Sequence, residues 1–298
     1  MTLSPDMSSF ASRLHVKGTL VFDSAHRIGA ERSLAVDAPD LPVLQTIDGR
    51  PYIPGSSFKG AWRSYTESIL RTIQSQPGIA DRNLACLSIG KPATRPDPDP
   101  DEGRCLTMDE ARAYKDEYGR QSARLDEILR QESCWTCRIF GNNWLSSKVM
   151  IKDLMIDEAS FIRTEVRDGV GIDRDSARAA DKFKYRFEAV PAGAQFQLEI
   201  LVENASPAEL GLVMLGLKSF ERGDILLGGA KSRGLGWCHL QEDWVSGSTY
   251  VAAANLLGYL LRTAESDEPG AWGLSDDEVT GWLTAFNAAI HVAPVEEG

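Results

Sequence analysis

Four of the five cysteines lie in one stretch of the chain and could hold a metal ion. Cys134 and Cys137 form a CxxC pair in CWTC, while Cys86 and Cys105 flank a segment rich in proline and aspartate. Four thiolates can complete a tetrahedral zinc site, which would stabilise a segment with few core residues. A redox-active CxxC pair and four unrelated thiols are the alternatives. The spacing therefore predicts a structural zinc site and leaves both alternatives open.

The stretch PGSSFKG, residues 54–60, predicts a loop that opens a helix. Its proline and glycine suit a tight turn, its serines can cap the helix, and apolar residues at helical spacing follow. The free N–H groups of a helix start can bind a phosphate, and basic residues in the first turns add charge. The candidate caps are Ser56 and Ser57, and the candidate basic contacts to the phosphate are Lys59 and Arg63. An ordinary capped helix with a solvated lysine is the alternative.

A second glycine-rich stretch, GGAKSRGLGW, spans residues 228–237. It is not a Walker A loop, because Gly229 occupies the position that such a loop gives to lysine. It lacks the third glycine of a dinucleotide-binding fingerprint as well. What remains is a basic loop whose glycines allow backbone amides to approach a phosphodiester, with Lys231 and Arg233 supplying charge. The alternative is a structural loop with a bulge.

His26, in DSAHRIGA, is the histidine best placed for chemistry, since it follows a predicted strand. It could act as a general base, contact RNA, or be a buried polar side chain with satisfied hydrogen bonds. A serine nucleophile is not indicated, because the sequence has no GxSxG motif.

The composition is that of a globular protein with an ample core: 298 residues, 43% hydrophobic and 25% charged. No apolar run reaches the length of a membrane span and the first residues do not resemble a signal peptide, so we expect a cytoplasmic protein with reduced cysteines. The net charge of −11 argues against a general nucleic-acid coat protein. A local basic groove is still compatible with it.

The elements that would position these residues alternate between strands and helices. A strand over 14–22, a helix over 57–73, strands over 148–157 and 195–203, a helix from Ser206 and a strand over 237–240 follow from hydrophobic period and capping signals. A further helical stretch is expected over 108–131, and two more after residue 250. The order strand, helix, strand, strand, helix, strand predicts an α+β fold of the split βαβ, ferredoxin-like type.

Taken together, these motifs resemble the RAMP superfamily, and specifically the guide-RNA-binding backbone subunits of type III CRISPR effector complexes. The residues that carry the resemblance are HRIGA (26–30), DLPVLQTIDGRPYIPGSSFKGAWR (40–63), CWTCRIFGN (134–142), GIDRDSARAADKFKYRFEAVPAGAQF (171–196) and LLGGAKSRGLGW (226–237). The resemblance implies a ferredoxin-like palm domain over 1–241, interrupted by a zinc-binding insertion at 77–142 and a protruding thumb hairpin at 163–190. Residues 242–298 are expected to form a helical C-terminal extension.

The resemblance also implies partners. These are a guide RNA, a complementary target RNA and further effector subunits, including other RAMP backbone subunits stacked along the guide. The two glycine-rich loops would hold the guide through phosphates and 2′-hydroxyls, as a protein that accepts any guide sequence requires. The implied RNA-binding residues are His26, Ser56, Ser57, Lys59, Arg63, Gly229, Lys231, Ser232 and Arg233.

The same resemblance implies a catalytic carboxylate. Backbone subunits of the family carry an aspartate ahead of a Pro-Val pair, and Asp40 in DLPV matches it, with Asp37 as the near alternative. The carboxylate would assist attack of a target 2′-hydroxyl on the adjacent phosphodiester, with a divalent cation such as Mg²⁺ as cofactor beside the structural zinc. Two alternatives stay open: a non-catalytic RNA-binding backbone subunit, and an endoribonuclease that processes guide RNA with His26 as base.

Overall fold

The computed structural model describes residues 9–30, 39–80, 83–86, 105–106, 108–119, 123–160, 163–173, 178–261 and 272–291. Asp37 therefore lies outside the described residues. Within these ranges the strands are β1 (Ser12–Phe22), β2 (Tyr52–Ile53), β3 (Val149–Ile151), β4 (Leu154–Met155), β5 (Glu165–Asp173), β6 (Arg178–Ala189), β7 (Gln195–Glu203), β8 (Cys238–Leu240) and β9 (Thr249–Ala252). The helices are α1 (Gly55–Gln74), α2 (Met108–Tyr118), α3 (Ala123–Gln131), α4 (Trp135–Phe140), α5 (Pro207–Glu221), α6 (Leu256–Leu261) and α7 (Asp276–His291). The α+β class predicted from the sequence is confirmed.

The central sheet is antiparallel, with strand order β3-β7-β1-β8, and β9 pairs with β1. Alternate residues of β1 point into the core: Leu14, Val16, Leu20 and Phe22 are fully buried. This is the period-two pattern of a strand with one face covered. The sheet is therefore covered on one face, and its other face carries the charged residues of β1 and β7.

Helices α1 and α5 supply apolar side chains to the core that covers the sheet. Phe58 of α1 stacks on Phe220 of α5 with ring centroids 4.4 Å apart, and Trp62 lies edge-on to the same phenylalanine ring. Helix α5 begins as the sequence predicts, with Ser206 as cap and proline at the first helical position. Ser206 and Glu209 form a reciprocal capping box, which satisfies N–H groups that a helix start leaves free.

The segment between α1 and β3 differs from the single helix expected over 108–131. It forms α2 and α3 instead, and Gly119, at the end of α2, has φ +80°. An L-residue rarely adopts that angle, so the helix ends there. Leu106, Ala111, Leu125, Leu129 and Leu145 form a small separate core. The segment is thus ordered partly by its own apolar residues.

The stretch 163–190, expected to form a hairpin, contains the antiparallel pair β5 and β6. The pairing shifts register between Val170 and Ile172, the signature of an irregularity in the ladder. This two-stranded sheet is separate from the central sheet. Its base is joined to the loop that follows β1 through a parallel bridge between Leu41 and Phe187.

The region after residue 241 is not purely helical, which corrects the sequence-based expectation. Residues 249–252 form β9 at the side of β1, because Thr249, Tyr250 and Val251 favour an extended backbone and Val251 is buried there. Helix α7 then packs on α5 through Trp282 and Phe286. None of the helices in the described ranges is both long and apolar enough to cross a bilayer.

Candidate RNA groove and metal centre

The structure brings Cys86, Cys105, Cys134 and Cys137 together. Their Sγ atoms all lie within 4.8 Å of one another, and those of Cys86 and Cys137 are 3.7 Å apart. A tetrahedral ion with metal–sulfur bonds of about 2.3 Å requires sulfur atoms roughly 3.8 Å apart. All four are free thiols rather than disulfides. The four cysteines therefore fit a metal ion that binds four thiolates, such as zinc.

Backbone contacts between distant segments form this cysteine cluster. Trp135 N and Thr136 N, at the start of α4, donate to the carbonyl oxygens of Asn83 and Leu84, which brings Cys86 beside the CxxC pair. Hydrogen bonds with Cys105 lower the pKa of Cys134 and raise those of Cys86 and Cys137, so the four thiols share their protons within the cluster. A bound metal would replace these protons, because the thiolate is the form that binds metal.

The start of α1 is held by protein groups. Gly55 N donates to Asp153 Oδ1 at 2.8 Å. A carboxylate of the protein therefore accepts the first N–H group of the helix, which was expected to bind a phosphate. A Cβ at Gly55 would lie 2.3 Å from the carbonyl oxygen of Ile151, which explains the need for glycine. Ser56 and Ser57 are exposed on the first turn. Neither caps the helix, because the N-cap position belongs to Pro54.

Lys59 and Arg63 also point toward protein groups. Lys59 Nζ lies 2.6 Å from Ser147 Oγ and 3.0 Å from Val149 O, and burial followed by the charge of Arg63 lowers its pKa. Arg63 bonds to Glu67 Oε1 at 2.7 Å and Gly141 O at 2.8 Å. These two cations are engaged with the segment that follows the CxxC pair, which the sequence-based phosphate interpretation did not anticipate.

The second glycine-rich loop lies against the segment after β1. Gly228 has φ +88°, and a Cβ there would lie 2.5 Å from the carbonyl oxygen of Arg27. Gly229 N donates to that same oxygen at 2.9 Å. Ala230 has a left-handed backbone conformation, with φ +58°. After it, Lys231–Arg233 form a single 3₁₀ turn with all three side chains exposed. The loop thus presents its two cations and Ser232 to solvent.

An open cavity of about 180 Å³ lies between this loop, the base of the β5–β6 hairpin and the segment after β1. We call it the arginine groove. Arg233 Nη1 donates to the hydroxyl of Tyr185 at 2.6 Å, and Arg27 Nε donates weakly to the carbonyl oxygen of Leu41 at 3.4 Å. Its lining residues are Arg27, Leu41, Arg167, Tyr185, Phe187, Ala230, Arg233 and Leu235.

The chemistry of the arginine groove suits a nucleotide chain. Guanidinium groups hydrogen-bond phosphate oxygens in pairs, and aromatic rings accept stacked bases of any sequence. Arg27, Arg167, Tyr185 and Phe187 were not among the residues predicted from the sequence. The signal that could have found Tyr185 and Phe187 is their alternation with basic residues in KFKYRFEA, which sets aromatic rings among cations.

Asp40 lies next to the groove residue Leu41. Its Oδ2 accepts the backbone N–H of Arg186 at 2.7 Å, and Leu41 pairs through its own N–H and C=O with Arg186 and Glu188 of β6. Glu188 Oε2 further accepts the N–H of Val43. The segment from Asp40 to Val43 is therefore attached to the base of the hairpin, rather than forming a free loop.

His26 lies inside the protein. Its ring is 1% exposed and stacks on Phe22 at a centroid distance of 3.6 Å, with Phe196 edge-on. Burial lowers the pKa of His26 to about 3, and Nδ1 has no hydrogen-bond partner among the described residues. Its backbone pairs with Val190 in both directions. In this structure the imidazole does not reach the surface where RNA would contact it.

Comparison with known families gives one match. A family model described as the RAMP superfamily matches residues 11–239. That range contains the central strands β1, β3 and β7, the cysteine cluster and the arginine groove, and it ends within β8. The comparison with curated proteins found no match.

Proposed function

Because the chain belongs to the RAMP superfamily, a family associated with CRISPR systems and RNA binding, we propose that it is a guide-RNA-binding backbone subunit of a type III effector complex. The observation that carries this proposal is the arginine groove, which combines three guanidinium groups with two aromatic rings. A site of this kind binds the phosphate backbone and stacks bases without reading their identity. That property suits a protein that must accept any guide sequence.

The proposal assigns roles to the surrounding elements. The antiparallel order β3-β7-β1-β8, with α1 after β1 and α5 after β7, supports a ferredoxin-like palm. The β5–β6 hairpin would be the thumb, and its base forms one wall of the arginine groove. Other effector subunits and the target RNA would be the remaining partners. The cysteine cluster would hold one structural zinc ion, which would join the start of α4 to the stretches that carry Cys86 and Cys105.

We further propose that the subunit cleaves target RNA paired to the guide, with Asp40 as the catalytic residue. The Asp40 carboxylate accepts the proton of a target 2′-hydroxyl as that oxygen bonds to the adjacent phosphorus. The bond from phosphorus to the 5′-oxygen breaks, and that oxygen takes a proton from solvent water. The products are a 2′,3′-cyclic phosphate and a 5′-hydroxyl end. As an alternative to accepting the proton, Asp40 would help to hold a divalent cation such as Mg²⁺, which would neutralise charge on the target phosphate. The position of Asp40 supports this role, because the next residue in the chain, Leu41, lines the arginine groove.

The experiment is target cleavage by the assembled complex containing Asp40→Ala, Asp37→Ala or both substitutions. We expect Asp40→Ala to lower the cleavage rate at least about 100-fold, as loss of a general base does, while guide retention and target binding change little. A deoxy substitution at the scissile nucleotide should block cleavage by the unmodified protein.

Cleavage lost only with Asp37→Ala would move the catalytic role by three residues. Normal cleavage by the double variant would reject catalysis. It would leave the non-catalytic RNA-binding subunit, which the hydrogen bond between Asp40 and the backbone of Arg186 also fits.

A further inference from the structure

One face of α1 carries four charged residues at intervals of four: Lys59, Arg63, Glu67 and Arg71. Residues spaced by four lie above one another on a helix, so they form a single row. We call it the α1 basic row. Arg63, Glu67 and Arg71 have polar contacts with one another or with the cysteine cluster, while Lys59 contacts Ser147 and Val149 further along the chain.

Arg63 lies closest to the cluster. Its Nη2 is 3.5 Å from Cys137 Sγ, while Nη1 donates to Gly141 O at 2.8 Å and Nε to Glu67 at 2.7 Å. The guanidinium therefore reaches a sulfur, the loop after α4 and a carboxylate on its own helix at once. A lysine could not make these contacts together, because it lacks the rigid planar fork.

Arg71, two turns further along α1, contacts a different segment of the cluster. Its Nη1 donates to the carbonyl oxygen of Cys86 at 3.2 Å and lies 3.9 Å from Glu67 Oε2. Glu67 is buried, with 6% of its side chain exposed, and lies between the two arginines. The row thus contacts two of the segments that supply sulfur atoms, the one that contains Cys86 and the one that contains Cys137.

The two arginines would also offset the negative charge of the metal site. Four thiolates around a divalent ion carry a net charge of about −2, which is costly in a site where the sulfur atoms are removed from water. Two arginines and one glutamate contribute about +1 beside it.

We propose that Arg63 and Arg71 are positioning residues of the metal centre, which hold its ligands and offset its negative charge, rather than contacts to RNA phosphates. The inference rests on the proposed metal site. Outer partners of this kind typically change metal affinity 10- to 100-fold when they are removed.

The test measures zinc release from the full chain to a chromophoric chelator, together with the absorption spectrum after cobalt substitution. We expect Arg63→Ala to release zinc about 10- to 100-fold faster than the unmodified protein, and Arg71→Ala to have a smaller effect of the same sign. The sulfur-to-cobalt charge-transfer bands should shift in Arg63→Ala, because the N–H group beside Cys137 is lost. A merely structural substitution would leave those bands in place.

The control is Arg13→Ala, which removes an arginine of similar exposure that also pairs with a glutamate, Glu203. If Arg63→Ala does not fold, Arg63→Lys keeps the charge and is expected to release zinc faster as well, with shifted bands. Unchanged release and spectra in folded Arg63 variants would overturn the inference and leave the metal site standing. If the unmodified protein binds no zinc or cobalt, the proposed metal site fails, and this inference with it.

Discussion

The two basic clusters of this protein have different surroundings, although each lies beside a loop rich in glycine and serine. In the arginine groove, Arg233 is exposed and bonds to a neutral tyrosine hydroxyl. In the α1 basic row, Arg63 bonds to a buried carboxylate and lies against a cysteine sulfur. In the groove Arg167 pairs with Glu165, but the exposed Arg233 keeps donors available for an external anion, whereas Arg63 of the α1 basic row is engaged with the protein's own charges. We therefore propose different roles for these two similar sequence motifs: RNA binding for the arginine groove and support of the metal centre for the α1 basic row.

The largest expected effect is the loss of bound zinc when cysteines of the cluster are replaced. Replacing Cys134 and Cys137 with serine removes two of four ligands, and we expect bound zinc to fall from one ion per chain to none, because two thiolates cannot complete the tetrahedral site. Elemental analysis of the purified protein measures this. Cys238→Ser serves as the control, because Cys238 is also a buried cysteine but lies in β8, outside the cluster. Undiminished zinc in the double variant would contradict the assignment of this cluster.

A smaller effect is expected for Gly228→Ala. This substitution should change the shape of the arginine groove and leave the amount of bound metal unchanged. Alanine at this position would place Cβ 2.5 Å from Arg27 O and strain a backbone with φ +88°. We expect a several-fold weaker affinity for single-stranded RNA and a loss of stability of about 1–2 kcal/mol from the left-handed backbone. Fluorescence anisotropy and chemical denaturation measure the two effects.

Gly234→Ala is the matched control for this substitution. Gly234 has φ +82°, yet among the described residues no atom beyond its chain neighbours lies within 4 Å of the position that a Cβ would take. It therefore adds the backbone strain without the clash against Arg27. Equal RNA affinities for the two variants would show that the contact between the loop and Arg27 does not shape the groove.

Much of the fold followed from local sequence signals. The hydrophobic alternation of β1 and β7 and the Ser206 cap of α5 were predicted because each depends on residues close in the sequence. The role of Arg63 was not, since its partners Gly141 and Cys137 are distant in the chain, with separations of 78 and 74 residues. The hairpin residue Tyr185 was missed for the same reason: its groove partner Arg233 is 48 residues distant.

The candidate site shows the same limit. The four cysteines could be grouped from the sequence because thiols are rare and their chemistry is specific. For His26 the sequence offered burial as one of three interpretations but could not select it, because the burial depends on Phe22 and Phe196 from two different strands enclosing the ring. Patterns identify which side chains can do chemistry, whereas long-range packing decides which of them are accessible.

The proposal that the arginine groove, and not the α1 basic row, binds RNA has its sharpest test in the salt dependence of RNA binding. Anisotropy titrations over a range of salt concentrations would compare the unmodified protein with Arg233→Ala and Lys59→Ala, using two single-stranded RNAs of unrelated sequence. We expect Arg233→Ala to weaken binding of both RNAs equally and to reduce the slope of log affinity against log salt by about 0.7, the value for one lost phosphate contact. Lys59→Ala should leave that slope unchanged. A reduced slope for Lys59→Ala with none for Arg233→Ala would contradict the proposal.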